Sequence, residues 1–267
     1  LTIMQPMCVH LGQKQKREQL ELIGIYSIDG RSNMINVKYI NSMGNDLTVV
    51  NSARVSFDKR STRLTKEDEK LISYLAKHKH MSPFGHCFAT FLVSAPIFVA
   101  RQLVKHKFLR WNEVSRRYVD KEPEFYIPNV WRERSANKKQ GSSDDILNNL
   151  DGVVRYGLVD SKDVYQKRHR KGLRTIGTQH MVNLLNQKAY HLYVTMIEAG
   201  VCPEQARMIL PQSTMTEWYW SGSLDAFADM CNLRLKDDAQ YETREVAKKV
   251  ANIMRAFFPI SWKELVK

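Results

Sequence analysis

A strand that leads directly into a helix lies in the first half of the chain. Residues 87–95 form an apolar run of strand length, and Pro96 stands where the first turn of a helix would begin. We expect this helix to run from Pro96 to about Lys107, because Ile97, Val99, Leu103 and Val104 place apolar side chains on one face. This strand–helix unit, residues 87–107, indicates a fold that combines strands with helices.

Elements of both kinds flank this unit. Two strands are predicted at 35–40 and 47–50, separated by a turn at 44–46. Thr65 and Asp68 have the spacing of a capping box and predict a helix that ends near His80. Further helices are predicted at 179–199, from Pro203, at 224–235 and from about 238 to 257. No internal repeat is present, so the fold class we expect is α+β, a single domain with a mixed or antiparallel sheet flanked by helices.

The expected domain comprises residues 35–267. Residues 1–34 are polar and rich in turn residues, and we expect a poorly ordered N-terminal extension. Residues 131–177 are also polar and include a basic run at 167–171, which predicts a partly exposed insertion.

Charge and cysteine content narrow the class of protein. The net charge of +13 favours anionic partners such as nucleic acid or phosphorylated metabolites. The four cysteines (Cys8, Cys87, Cys202 and Cys231) lack CxxC spacing, which is typical of a reduced, cytoplasmic compartment. No apolar run approaches the ~20 residues that span a bilayer, so no membrane association is expected.

The densest group of polar side chains lies at 101–118. Cations at 105–107 would be favourable at the end of a helix whatever their function. The loop that follows adds donors and acceptors between further cations, through Asn112, Glu113, Ser115, Arg117 and Tyr118. That mixture favours a phosphorylated ligand that also forms hydrogen bonds.

This segment resembles the flavin-dependent thymidylate synthases. That family carries Arg-His-Arg, seven residues and then Ser, with Asn-Glu before the Ser and Arg-Tyr after it. The chain has Lys105-His106-Lys107 and, seven residues later, Ser115, with Asn112-Glu113 and Arg117-Tyr118 in register. A second Arg-His-Arg at 168–170 precedes Thr178 by the same spacing, but it lacks this context and is interpreted as a solvated basic loop.

Other blocks are similar to the same family and extend the resemblance over most of residues 35–267, in order. They are His80-Met81-Ser82-Pro83-Phe84-Gly85-His86, residues 95–102, Ala206-Arg207, Leu210-Pro211, Asn232-Leu233-Arg234 and Ala239-Gln240-Tyr241-Glu242. The resemblance implies the thymidylate synthase-complementing-protein fold. It implies methylation of dUMP to dTMP, with 5,10-methylenetetrahydrofolate as carbon donor and with FAD, reduced by NADPH, as hydride carrier. It also implies a homotetramer whose active sites are shared between subunits.

The same resemblance assigns roles to individual residues. The dUMP-binding set is Gln102, Lys105, Glu113, Ser115, Arg116, Arg117, Arg207 and Arg234, with Arg234 as the catalytic cation against the uracil ring. The FAD-binding set is His80, Ser82, Lys105, His106, Lys107, Glu113, Ser223 and Asp229. The chain departs from the family pattern at the two lysines of the motif, which keep the charge of arginine but lack its planar fork. It departs also at Gly85, Ser223, Asp229 and Asp238.

Alternative functions remain open at this point. A nucleic-acid-binding protein would suit the net charge, but Tyr165 is the only aromatic residue near the basic run, and no specific nucleic acid is expected. Another flavin oxidoreductase is disfavoured because no GxGxxG follows a predicted strand. His78, His80 and His86 form a weak metal pattern without a spaced Cys or carboxylate, so no metal is expected. Cys202 could act as in conventional thymidylate synthases, but a small apolar packing role is the interpretation we favour.

Overall fold

The computed structural model describes residues 35–119, 121–134, 142–146 and 178–267. All of them belong to one compact unit, Asn33–Lys267. The expectations for residues 1–34 and for the basic run at 167–171 lie outside the described residues. No helix within the described ranges is both long enough and apolar enough to cross a membrane.

A four-stranded antiparallel sheet organises the domain. Its strands are neighbours in the order β1, β2, β6, β3, and β4 pairs with β5 in a separate two-stranded sheet. The strands are β1 (Asn36–Met43), β2 (Phe88–Pro96), β3 (Arg110–Glu113), β4 (Arg132–Arg134), β5 (Ser142–Ile146) and β6 (Met215–Ser223). Helices accompany the sheet, which confirms the α+β prediction with an antiparallel sheet.

Eight helices are present among the described residues. They are α1 (Asp46–Arg54), α2 (Lys66–Lys77), α3 (Ile97–Leu103), α4 (Thr178–Glu198), α5 (Pro203–Ala206), α6 (Leu224–Arg234), α7 (Tyr241–Phe257) and α8 (Pro259–Leu265). Single 3₁₀ turns occur at Val55–Phe57, Phe84–His86 and Arg207–Ile209.

The core forms where the inner face of the sheet meets α6 and α7. Phe91 of β2 and Trp220 of β6 both make edge-to-face contacts with Phe227 of α6, with ring centroids 5.0 Å and 5.4 Å apart. These three side chains are fully buried, as are Val246 and Val250 of α7. Aromatic pairs of this geometry add to the stabilisation from burial itself, and they fix α6 against the centre of the sheet.

The predicted strand at 47–50 is wrong, because these residues belong to α1. Asn45 and Thr48 form a capping box: the Asn45 side chain accepts from the Thr48 backbone N–H, and the Thr48 hydroxyl accepts from the Asn45 N–H. The prediction relied on the β-branched run at 48–50. Two of those residues, Val49 and Val50, are fully buried, so tertiary packing overrides their strand preference.

The other predicted elements have the expected type, with shifted ends. The capping box at Thr65 begins α2, which ends at Lys77, and Gly200 follows α4 with a φ of 86°. Helix α3 ends at Leu103 rather than near Lys107, so the motif at 105–107 lies in the turn after the helix. Helix α7 begins at Tyr241, three residues later than predicted. Strands β3 and β6 and helix α8 were not anticipated.

Candidate active site

A pocket of about 670 Å³ lies where α3, α6 and α7 meet the chain segment at 126–132. Three of the residues assigned from sequence line it: Gln102, Lys105 and Arg234. The remaining lining residues are Tyr126, Pro128, Asn129, Val130, Trp131, Arg132, Ser142, Asp238, Ala239, Gln240, Tyr241 and Glu242. The pocket therefore combines a few cations and amides with an aromatic wall, as ligand sites commonly do.

Arg234 lines this pocket and is held in place by two hydrogen bonds. It is the last residue of α6, whose buried apolar side chains fix the helix against the sheet. Its Nε donates to Nε2 of His106 at 3.1 Å, and its Nη2 donates to the backbone carbonyl of Gln102 at 3.1 Å. Nη1 makes no hydrogen bond with any described residue. Burial lowers the pKa of the guanidinium, which still remains charged near neutral pH.

His106 lies behind Arg234 and is not among the residues that line the pocket. Burial, and then the Arg234 cation, lower the pKa of His106 to about 4. The imidazole is therefore neutral at pH 7. Because Nε2 accepts a hydrogen bond from Arg234, the ring proton resides on Nδ1.

The side-chain amide of Gln102 is fixed by the first turn of α7. Its Oε1 accepts from the hydroxyl of the buried Thr243 at 3.2 Å, and its Nε2 donates to Oε1 of Gln240. Gln240 in turn donates to Glu242 at 3.2 Å. Because both ends of the Gln102 amide are used, its rotamer is defined before any ligand binds.

The aromatic wall of the pocket was missed in the sequence. The guanidinium of Arg132 stacks over the ring of Tyr241 at 4.0 Å, a cation–π contact. Tyr126 is held in place by its backbone N–H, which donates to the carbonyl of Ser213 at 2.7 Å. Burial, then the nearby carboxylate of Glu242, raise the pKa of Tyr126 to about 12, so its phenol is protonated. The pair Trp131-Arg132 begins the segment predicted as a partly exposed insertion, and both side chains are half-buried and line the pocket.

A second group of assigned residues surrounds the end of β3. The Glu113 carboxylate accepts from the Thr216 hydroxyl at 2.8 Å and from the Trp111 indole at 3.1 Å. Arg117 lies 3.6 Å from Glu204 of α5, an ion pair that joins the loop at 114–118 to the segment containing Arg207. Arg116 donates to the backbone carbonyl of Lys121, and Ser115 accepts from the Arg117 backbone N–H at 3.3 Å. Arg117 and Arg207 are exposed, so this surface presents cations to solvent.

The third group includes the N-terminal end of α6, opposite Arg234, and Asp229 in the middle of that helix. Ser223 is the N-cap of α6 and pairs with Phe88 of β2, next to the 3₁₀ turn that follows Ser82. Asp229 is exposed, and burial and the Asp225 carboxylate raise its pKa. His80 is also exposed. The residues described include no cluster of three or more His, Cys, Asp or Glu that could hold a metal ion.

The structure does not bring all three groups together within one chain. Ser223 and Arg234 are the two ends of α6, whose length separates them by roughly 16 Å. Glu113 pairs with Trp218, which lies roughly 17 Å from Ser223 along β6. The assigned FAD residues are therefore divided between distant parts of the chain.

The chain is similar in sequence to a family of known proteins. Residues 38–260 match the Thy1 family model, described as thymidylate synthase complementing protein. A flavin-dependent thymidylate synthase from Thermus thermophilus is 34% identical over 226 residues, which cover 85% of this chain and 73% of the relative. The enzyme of the same name from Thermosipho africanus is 32% identical and is aligned over 86% of this chain and 90% of its own length.

A solved structure resembles the fold as well. It is a crystal structure of a UMP/dUMP methylase, PolB from Streptomyces cacaoi, bound with 5-Br dUMP. The two structures superpose with a TM-score of 0.68 at 27% identity, covering 87% of this chain and 94% of the other.

Proposed function

Because the chain belongs to the Thy1 family of thymidylate synthase complementing proteins, we propose that it is a flavin-dependent thymidylate synthase that methylates dUMP to dTMP. The observation that carries this proposal is the position of Arg234. Its guanidinium faces the pocket with Nε and Nη2 fixed by His106 and Gln102, and Nη1 makes no bond with a described residue. A cation fixed in this way is suited to a ring that develops negative charge.

In this proposal Arg234 is the catalytic residue. Carbon 5 of uracil is a poor nucleophile until negative charge builds on the ring, and a guanidinium beside O2 and N3 stabilises that charge. Removing a preorganised group of this kind typically costs ~3–4 kcal/mol of transition-state stabilisation. Gln102 and Lys105, which line the same pocket, would contact the nucleotide beside it.

The exposed cations near the end of β3 would bind the phosphate of dUMP. Arg117 and Arg207 carry charge on neighbouring segments joined by the Arg117–Glu204 ion pair. Ser115 and Arg116 would add hydrogen bonds to the phosphate and sugar, and Glu113 would lie between nucleotide and flavin. Arginine side chains are well suited to phosphate because their planar fork can donate two parallel hydrogen bonds.

We further propose that FAD, NADPH and 5,10-methylenetetrahydrofolate take part in the reaction. When bound, FAD would supply the hydride that completes the new methyl group. Lys105 and Lys107 are both exposed, and their charges fit an anionic dinucleotide. Asp225 and Asp229 lie one turn apart, so the N-terminal half of α6 suits hydroxyl or ring N–H donors rather than the phosphates.

The active site would be shared between subunits of a homotetramer. The separations of roughly 16 Å along α6 and 17 Å along β6 support this proposal, because Ser223 lies far from both Arg234 and Glu113 within a single chain. Ser82 and Ser223 of one subunit would then complete a site that contains Arg234 of another. The spacing of the cysteines supports a cytoplasmic location for the assembly.

UMP is a second candidate substrate. The structural relative is described as a UMP/dUMP methylase, so ribonucleotide methylation is the closest rival activity. Nucleic-acid binding is a weaker rival, since the basic run on which it depends lies outside the described residues.

Product analysis with both nucleotides tests the proposal. Purified protein is incubated with dUMP or UMP in the presence of methylenetetrahydrofolate, FAD and NADPH, and the methylated nucleotides are separated by chromatography and identified by mass. We expect dTMP, with formation lost when any one of the three is omitted. A product from UMP alone would transfer the proposal to the ribonucleotide. Absence of methylated product from both nucleotides, in protein that is folded and binds FAD, would contradict it.

A further inference from the structure

Thr243 is the only polar residue among the buried side chains of α7, a helix that the structure describes in full. It is 0% exposed and shares its face of the helix with Val246, Ala247 and Val250. A hydroxyl removed from water costs free energy unless it has a hydrogen-bond partner. The partner of this hydroxyl therefore indicates the role of the residue.

The hydroxyl of Thr243 donates to another part of the fold rather than within its own helix. A threonine in a helix commonly bonds to the carbonyl one turn earlier. For Thr243 that residue is Ala239, whose carbonyl accepts from Nη2 of Arg244 at 3.1 Å. The Thr243 hydroxyl donates instead to Oε1 of Gln102 at 3.2 Å, across 141 positions of the sequence. The contact joins the buried face of α7 to a residue that lines the pocket.

A carboxylate sets the direction of the Gln102 amide. An ionised carboxylate has no proton to donate, so Glu242 accepts from Nε2 of Gln240 at 3.2 Å. The other end of the Gln240 amide, Oε1, then faces Gln102 and accepts from its Nε2. Oε1 of Gln102 is left for a donor, and the Thr243 hydroxyl is that donor. The series of hydrogen bonds is complete only with the amide in this orientation.

The Nε2 end of the Gln102 amide lies on the pocket side. Gln240, which contacts this end, and Glu242, which follows in the series, both line the pocket. Thr243, which contacts the Oε1 end, does not line it. Nε2 carries two protons, and Gln240 accepts one of them. The second proton has no acceptor among the described residues, so it is available to an oxygen of a ligand in the pocket.

We propose that Thr243 is a positioning residue for the nucleotide: its hydroxyl holds the Gln102 amide with Nε2 toward the pocket, where Nε2 donates to an acceptor oxygen of bound dUMP. This inference rests on the proposed function, which places dUMP in this pocket. The hydroxyl acts through Gln102 and not through contact with the nucleotide. Valine in place of Thr243 would remove the donor and leave the amide free to turn over.

Substitution at Thr243 tests the inference through nucleotide affinity. Thr243→Val keeps the shape of the side chain and removes the donor, whereas Thr243→Ser keeps the donor. We expect Thr243→Val to raise KM and the dissociation constant for dUMP about three- to tenfold, as loss of one hydrogen bond commonly does. Thr243→Ser should retain the parental affinity within about twofold, because its hydroxyl can make the same contact.

The turnover number separates this role from a disturbance of the catalytic cation. Arg234 bonds to the backbone carbonyl of Gln102 and not to its amide, so kcat should change less than about twofold in Thr243→Val. The matched control is Thr195→Val, which removes an exposed hydroxyl on α4 that donates to the His191 carbonyl at 2.9 Å. It should leave both KM and kcat unchanged.

A double-mutant cycle separates action through Gln102 from a change in the packing of α7. Gln102→Met removes the amide and keeps the length of the side chain. In that background Thr243→Val should weaken dUMP binding by less than about twofold further. Unchanged dUMP affinity in Thr243→Val, or an equal loss with and without the Gln102 amide, would overturn the proposal.

Neutron diffraction from deuterated crystals measures the direction of the amide independently of turnover and of any variant. Deuterium should lie between Oγ1 of Thr243 and Oε1 of Gln102, and between Nε2 of Gln102 and Oε1 of Gln240. If the parent protein forms no methylated nucleotide, the proposed function fails while this orientation is still measured. If the parent methylates dUMP but the amide is reversed, the inference alone fails.

Discussion

Arg234 and Gln102 lie 132 residues apart in the sequence, yet Nη2 of Arg234 donates a hydrogen bond of 3.1 Å to the backbone carbonyl of Gln102. The contact joins the C-terminal end of α6 to the C-terminal end of α3. Carbonyls in the last turn of a helix lack partners within the helix, so a cation at this place stabilises the end of α3 as well. One side chain thus connects two of the segments that line the pocket.

The first prediction concerns Arg234 itself. Arg234→Ala should fold and keep FAD, yet lose dTMP formation by roughly a hundredfold or more, because the charge on the uracil ring loses its stabilising cation. Arg234→Lys should recover only part of the rate, since a point charge lacks the planar fork. Steady-state kinetics on the purified variants measure both.

A matched control is available for this prediction. Arg255 occupies the last turn of α7 and is exposed, so Arg255→Ala removes the same kind of charge from a helix end far from the chemistry. It should turn over dUMP at the parental rate. Near-parental turnover by Arg234→Ala would instead move the catalytic assignment to Arg207 or Arg117.

The second prediction concerns the pH dependence of His106. Its pKa in the folded protein is about 4, below the ordinary value of 6.5. The unfolded chain therefore binds a proton on this residue at a higher pH than the folded chain does. As the pH falls from about 6.5 toward 4, this residue reduces the free energy of unfolding, and above pH 6.5 it has no such effect. Denaturant unfolding measures the free energy of unfolding at each pH. Between pH 6.5 and 4 this free energy should fall more steeply with decreasing pH in the parent than in His106→Gln, which lacks the titrating ring.

The Arg234→Ala variant tests the second cause of the lowered pKa of His106. Removing the cation should raise the pKa of His106, because the Arg234 charge is one of the two causes of its depression. An NMR titration of the histidine resonances measures both proteins. A parental His106 that titrates at or above 6.5 would show that the ring does not face Arg234 in solution.

The third prediction is that no described cysteine is required for catalysis. Cys202 is exposed at the N-cap of α5 and does not line the pocket. Burial, followed by the Asp46 carboxylate, raises the pKa of the Cys87 thiol to about 12, and burial raises that of Cys231 as well, so neither is a thiolate at neutral pH. Cys202→Ala should keep most of the parental turnover of dUMP. A folded Cys202→Ala protein without activity would instead favour a cysteine nucleophile, as in conventional thymidylate synthases.

The fourth prediction concerns stability. The buried carboxylate of Asp46 accepts from the backbone N–H groups of Ile260 and Ser261 at 3.0 Å and 2.9 Å, which caps α8 from a distant part of the chain. Asp46→Asn leaves one of these N–H groups without an acceptor and should lower the free energy of unfolding by about 1–3 kcal/mol. Asp58→Asn, at an exposed position with a φ of 52°, should change it by less than about 0.5 kcal/mol, because Asn adopts this backbone conformation readily. Urea unfolding at pH 7 compares the two; equal stabilities would contradict the capping role.

The sequence predicted the local elements better than their assembly. The capping box at Thr65 and the glycine at 200 are short-range signals, and both mark helix boundaries in the structure. The run at 47–50 was misassigned because β-branched residues at 48–50 favour a strand in isolation, whereas burial and the Asn45 cap produce a helix.

The residues that line the pocket were likewise predicted only in part from the sequence. Gln102, Lys105 and Arg234 were selected by resemblance, and all three line it. Tyr126, Trp131 and Arg132 were not, because their place depends on the pairing of Phe125 with Thr214 and of β4 with β5, and these partners cannot be read from the segment itself. The paired aromatic residues at 125–126 and the Trp131-Arg132 dipeptide were the available clue.

The proposed reaction requires that the protein activate carbon 5 of dUMP. Methylation at this carbon replaces its hydrogen, so protein given dUMP tritiated at carbon 5, together with methylenetetrahydrofolate, FAD and NADPH, should release tritium to water. We expect tritium release in step with dTMP formation, with both lost in Arg234→Ala and both retained in Arg255→Ala. Folded protein that binds FAD and dUMP but releases no tritium above the rate without enzyme would contradict it.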